Sequence, residues 1–227
     1  MNQFELNELA EKYRYALIQI DKPACVRIVI DALESGLIKV VSLYEDILAP
    51  VLNQVCDSEF GQPGAIWREH ARSEITRTVI ECCYPYVLKL ADSRRTSQSI
   101  QVNKTNSNHR VIIVLPHLEL HELGARMGAD FFQIIGFETL FIGSNTPQES
   151  ILNSIAEFSP DYIVIHVVNY YNLFQAKQLL IRIRQNYPDV KILVSGSAFY
   201  ERIENLEPFG PVCLVRSFKD IESLLEE

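Results

Sequence analysis

Five short apolar runs, VIIVL (111–115), ETLFIG (138–143), YIVIHVV (162–168), KILVSG (191–196) and VCLV (212–215), recur along the second half of the chain. Each is separated from the next by an amphipathic stretch long enough for a helix, and no other feature narrows the choice of fold so far. Strand–helix alternation of this kind predicts a parallel sheet with right-handed crossovers. Five such strands fit the doubly wound order 2-1-3-4-5, whose ligand crevice lies at the carboxyl ends of the first and third strands.

The first half has only helical periodicity. FELNELAEKYRYALIQ (4–19) puts Phe4, Leu6, Leu9, Tyr13 and Leu17 on one side. KPACVRIVIDALESG (22–36) has Pro23 near its start and Gly36 at its stop, as helix ends prefer. A third helix spans 40–61 and contains Pro50; a fourth spans 64–90, with apolar or small residues at 67, 71, 75, 79 and 82. Short connections between four helices predict a small bundle. The polar, aperiodic stretch SRRTSQSIQVNKTNSNHR reads as a tether. The expected domains are therefore a helical bundle over 1–92, a linker over 93–109 and a sheet domain over 110–227.

Composition restricts partners. A formal net charge of -8 argues against direct nucleic-acid binding, which needs clustered cations to displace counterions, and against an anionic membrane surface. The start shows no basic region followed by an apolar one, and no apolar run is long enough to span a bilayer. Cys25, Cys56, Cys82, Cys83 and Cys213 are odd in number and scattered, which suits reduced thiols in a cytoplasm. The Cys82-Cys83 pair reads as helix packing. A homo-oligomer stays open.

Directly after the first predicted strand comes PHLELHELG (116–124), with His117 and His121 four apart among carboxylates. It sits where this architecture binds ligands. A phosphate loop is excluded, because neither GxGxxG nor GxxxxGK[ST] is present. A hydrolytic zinc site lacks HExxH. An acid/base dyad and a histidine that merely caps the helix both remain open on the residues alone.

ELHELGARMGADFFQIIGFETLFIGSNTP (119–147) resembles the cobalamin-binding domain of corrinoid proteins, whose hallmark is Asp-x-His-x-x-Gly. Here it appears as Glu119-x-His121-x-x-Gly124. The resemblance implies that His121 displaces the cofactor's own dimethylbenzimidazole and ligates cobalt from below, with Glu119 fixing its tautomer. Imidazole suits a transition metal, and a carboxylate behind it raises its basicity. Gly124 would clear room for the displaced nucleotide tail. The stretches LYEDILAPVL (43–52) and GAIWREHARSEI (64–75) are similar to the helical cap of light-sensing cobalamin-dependent repressors, in which a Glu-His pair faces the upper side of the corrin; here that pair is Glu69-His70. The expected fold is thus α/β, an N-terminal four-helix bundle plus a C-terminal doubly wound five-stranded parallel sheet (flavodoxin-like, cobalamin-binding).

The chain departs from that pattern in four places. The repressors carry a DNA-binding domain ahead of the cap, whereas this sequence starts within the cap and is expected not to bind DNA directly. Where the repressors carry Trp-His before the Glu-His pair, this chain has Glu59-Phe60, so Phe60 and the nearby Trp67 are the candidate aromatic lid. Where the family has a serine after strand three, this chain has His166, and the usual Gly-Gly after strand four reads Ser195-Gly196. The resemblance implies a cytoplasmic sensor that binds adenosylcobalamin or methylcobalamin, responds to light or another change of upper ligand, and signals by cap movement to a protein partner such as a transcriptional regulator. A corrinoid methyl carrier of a methyltransferase system is the enzyme-linked alternative. The altered tail contacts keep a third alternative open, an interaction module or a haem protein using His117 or His121. A mutase is the poorest fit, since nothing here would build a substrate barrel.

Overall fold

The computed structural model describes residues 2–58, 61–99, 109–200 and 211–225. The chain divides into two compact units, Met1–Lys89 and Leu90–Glu227.

In the first unit, α1 (Gln3–Ile18) opens with a reciprocal capping box between Asn2 and Glu5. In α2 (Lys22–Glu34), Pro23 lies in the first turn and the Asp21 side chain accepts the Ala24 N–H. A continuous helical stretch follows: α3 (Val40–Ser42), a π-helical turn (Leu43–Leu48) and α4 (Ala49–Ser58). The π turn ends two residues before Pro50, which has no N–H and whose ring would clash with the carbonyl four residues back; widening the preceding turn accommodates both effects.

The long helix α5 (Ala65–Ser99) corrects two expectations. Its buried stripe is Arg72, Ile75, Thr76, Val79, Ile80, Cys83 and Val87, whereas Trp67 is 59% exposed. Steps of four alone (67, 71, 75, 79) drift around the helix; alternating threes and fours keep to one face. Of the vicinal pair, Cys83 is fully buried and Cys82 only partly so. The second correction is length: residues 93–99, read from their polarity as linker, are helical. Arg and Gln are good helix formers, and this stretch is held by local polar contacts, including a 2.9 Å bond from Thr96 Oγ1 to the Asp92 carbonyl. Residues 100–108 lie outside the described residues.

Buried polar groups in the bundle are placed with purpose. Arg72, only 2% exposed, directs Nη2 at the Ile18 carbonyl at the end of α1, where a cation complements the helix dipole. Tyr13 Oη meets Thr76 Oγ1 at 3.4 Å.

The second unit is built on five parallel strands, β1 (Arg110–Pro116), β2 (Glu138–Thr146), β3 (Tyr162–His166), β4 (Lys191–Ser195) and β5 (Val212–Leu214), in the order β2-β1-β3-β4-β5. This is the expected doubly wound order. The crossovers are α6 (Leu123–Ile134), α7 (Gln148–Phe158) and α8 (Leu173–Asn186), and α9 (Phe218–Ser223) follows β5. Ile112, Val114, Ile163, Ile165, Ile192 and Val194 pack with Ile151, Ile155, Leu179, Leu180 and Ile183 on one side of the sheet. Their neighbours Val111, Ile113, Val164 and Leu193 are equally buried, as strands covered on both faces require. The β3–β4 ladder ends at the pair His166–Ser195, so both residues arrive together at the carboxyl edge.

Candidate functional site

The turn between β1 and α6 is tightly specified. Leu118 takes a left-handed φ of 71°. It is pinned by its N–H donating to Asn145 Oδ1 at 2.9 Å and by its carbonyl accepting Asn172 Nδ2 at 3.1 Å. Asn145, at φ 54°, donates its own N–H to the Glu119 carbonyl at 2.9 Å. The GSNTP stretch that closes β2 therefore clamps the turn that carries the motif.

Glu119 is completely buried, and every group around its carboxylate is a donor. Oε1 accepts from the His121 N–H at 3.0 Å and from His121 Nδ1 at 2.6 Å. Oε2 accepts from the Val168 and Asn169 N–H groups at 3.1 and 2.9 Å and from Asn172 Nδ2 at 3.1 Å. Burial by itself would raise the Glu119 pKa; bonds from the His121 side chain and backbone, Asn169 and Asn172 outweigh it and bring the pKa to about 2. An ionised carboxylate only accepts, so Nδ1 carries the imidazole proton and Nε2 keeps its lone pair. The His121 side chain is 49% exposed, so the ring stands at the surface on a buried anionic base. This is the arrangement of a metal-ligating histidine with its supporting carboxylate.

Asn145, Asn169 and Asn172 carry no motif that marks them in the sequence. The asparagine-rich turn VVNYYN after strand three was the available signal. Around the same turns, Leu118 (54%), Leu120 (64%), Tyr171 (86%) and Phe174 (64%) are exposed, an apolar rim suited to a broad, flat ligand. His117 is exposed on the β1 turn. Among the described residues no three His, Cys, Asp or Glu side chains converge, so the histidine pair does not form a multi-ligand centre there.

Gly124, His166 and Ser195 do come together. His166 is 5% exposed, its Nδ1 lies 3.3 Å from Ser195 Oγ, and its Nε2 is buried without a hydrogen-bond partner. A Cβ on Gly124 would lie 3.1 Å from His166 Cε1 and 3.4 Å from Nε2. Gly196, at φ 97°, faces the Val167 backbone, and a Cβ there would meet the Val167 oxygen at 2.2 Å. Its missing side chain is thus demanded by the fold. Gly196→Ala should destabilise the sheet unit by about 3 kcal/mol, the scale of an overpacked site combined with an unfavourable backbone, measured by chemical unfolding.

Burial holds the His166 pKa down at about 4, with a small opposing effect of Glu119 and a reinforcing one of His121. The unfolded chain takes up a proton near the ordinary value of 6.5 while the native state refuses it. The stabilising contribution is therefore complete above about pH 6.5 and is lost as pH falls through about 4, on the order of 3 kcal/mol in all. Urea unfolding from pH 7.5 to 4.5 should show this slope, and His166→Asn should flatten it.

The residues expected on the cap side lie on the first turns of α5. Trp67 is well exposed, with the Arg68 guanidinium 5.6 Å from its ring; Glu69 is half-buried and His70 exposed. Phe60 lies outside the described residues.

A doubly wound sheet that carries a carboxylate-backed imidazole at the end of its first strand has the donor chemistry to hold a metal-centred cofactor. The comparisons with known proteins name that cofactor. A B12 binding domain model matches residues 109–216, and a second B12 binding domain model matches residues 9–84. The chain is a cobalamin-binding domain protein, and its cofactor class is a corrinoid. It is similar to the monomethylamine corrinoid protein of Methanosarcina barkeri, with a TM-score of 0.78, 15% identity and coverage of 97% of this chain and 98% of that one. Weaker likenesses, each at 14% identity over 97% of this chain, are to the methanol:cobalamin methyltransferase complex of Methanosarcina barkeri (79% of that chain, TM-score 0.48) and a cobalamin-binding protein from Desulfitobacterium hafniense (97% of that chain, TM-score 0.46). No curated protein sequence matches the chain. No helix among the described residues is long and apolar enough to cross a membrane.

The donor set fits the cofactor: His121 offers a half-exposed imidazole, backed by a buried carboxylate, within an apolar rim.

Proposed function

We propose that the protein is a cobalamin-binding regulator in which His121 ligates cobalt from below. The observation that carries this reading is the 2.6 Å bond between His121 Nδ1 and the buried Glu119 carboxylate. When bound, the corrinoid would supply an upper ligand that light, alkyl exchange or occupancy can change. Glu119 fixes the tautomer of His121, and the exposed apolar rim would exclude water from a bound corrinoid. Trp67, Glu69 and His70 are proposed as contacts for the upper ligand from the helical unit. The partner would be a second protein, such as a transcriptional regulator. A ligand can shift such a protein only by binding one of its states better than another.

A second reading is a corrinoid methyl carrier. It is supported by the whole-chain likeness in fold to the Methanosarcina corrinoid protein. The regulator is preferred because the Glu69-His70 pair on the first turns of α5 matches the Glu-His pair of the light-sensing cap that this chain resembles.

The first experiment is the visible spectrum of protein mixed with adenosylcobalamin in the dark, desalted, then illuminated. Retained pigment with its own base displaced and a protein-dependent response to light supports the sensor. Retained pigment that instead passes a methyl group from methylcobalamin to a thiol acceptor moves the assignment to the carrier. Failure to retain any corrinoid sinks both.

A further inference from the structure

Resting on the assignment of His121 as the lower cobalt ligand, we propose that His166 is a specificity-determining residue whose imidazole fills the slot for the cofactor's lower nucleotide. The protein then discriminates against corrinoids with a bulky lower base in favour of those with a small base or none.

In cobalamin the nucleotide hangs from the lower face of the ring. Once His121 takes the lower position, the displaced base must lodge on the protein side, beside the β1–α6 turn. The ground between that turn and the ends of β3 and β4 is already occupied. On one flank the His166 ring stands 3.1 Å from the place where a Gly124 Cβ would be. On the other it reaches Ser195 Oγ at 3.3 Å. Gly196 opens nothing, because its free side is closed by the Val167 carbonyl. The side-chain direction of Gly124, itself exposed at the surface, thus meets an imidazole, and that of the buried Gly196 meets backbone.

His166 is also 5% exposed with Nε2 unpartnered, so the ring occupies this place through packing and one weak polar contact. A serine or alanine there would leave a ring-sized space directly beside Gly124. A base could enter the wild-type protein only by turning the ring out, and the work of doing so appears as lost affinity for that corrinoid alone.

The test compares adenosylcobalamin with adenosylcobinamide, which has no nucleotide, by equilibrium dialysis in the dark. Wild type, His166→Ser, His166→Ala and His166→Phe are titrated, with circular dichroism confirming the fold of each. The serine and alanine variants should bind adenosylcobalamin about tenfold tighter than wild type, with adenosylcobinamide changed less than about twofold. The phenylalanine variant, which fills the same space without a nitrogen, should keep the wild-type preference. An unchanged ratio of the two affinities in the serine and alanine variants overturns the proposal while leaving His121 ligation standing. Weaker adenosylcobalamin binding in those variants also overturns it, since His166 would then be holding the tail. If wild type retains neither corrinoid, the functional assignment fails and this inference fails with it.

Discussion

His121→Ala should abolish the spectral signature of histidine ligation while leaving the sheet unit folded. The His121 backbone N–H that Glu119 Oε1 accepts remains in the alanine variant, as do the Val168, Asn169 and Asn172 donors on Oε2. The carboxylate therefore keeps four of its five partners, and the imidazole that is lost was half exposed. Stability should change by less than about 1 kcal/mol, as for other surface truncations. Corrinoid affinity should fall by more than the roughly 10–100-fold typical of losing a ligand's supporting partner, because the ligand itself is gone. Imidazole added to the variant should restore part of the ligated spectrum. A variant whose holo spectrum matches wild type would sink the assignment of His121, whatever its affinity.

The outline of this architecture was legible in the sequence because apolar runs and strand order are coupled by simple rules. Continuous runs such as VIIVL signal strands covered on both faces, and doubly wound connections leave few orders open. The pairing of Glu119 with His121 was also legible, since their spacing is local and the turn brings them together. What holds Glu119 was not. Two of its donors are backbone N–H groups of Val168 and Asn169, which carry no side-chain signature and reach it only through the β1–β3 register. His166 stands out in the sequence as a departure, but whether it contacts a tail or fills a slot depends on its neighbours across the sheet edge. On α5 the exposed Trp67 shows the opposite failure: an apolar residue at helical spacing reads as core until the true stripe, centred on Arg72, Thr76 and Cys83, is seen.

Glu119 is where folding and ligation meet, and its variants should separate the two. Glu119→Ala removes the acceptor for three backbone N–H groups, the Asn172 amide and His121 Nδ1 at a fully buried position. Each orphaned buried donor costs about 1–3 kcal/mol. With some rearrangement, the sheet unit should lose at least about 3 kcal/mol of stability by chemical unfolding, and corrinoid retention should fall with it. Glu119→Gln keeps the shape and puts the conflict elsewhere. The amide oxygen is best turned to Val168, Asn169 and Asn172, which need an acceptor, so the NH2 group faces His121, whose backbone N–H loses its acceptor. Nδ1 must then give up its proton and accept, which moves the proton to Nε2, the nitrogen proposed to ligate cobalt. The glutamine variant should therefore stay folded, with a smaller loss than the alanine one, yet bind corrinoid about 10–100-fold more weakly. If Glu119→Gln binds corrinoid as tightly as wild type, the carboxylate's part is structural alone and the tautomer argument falls.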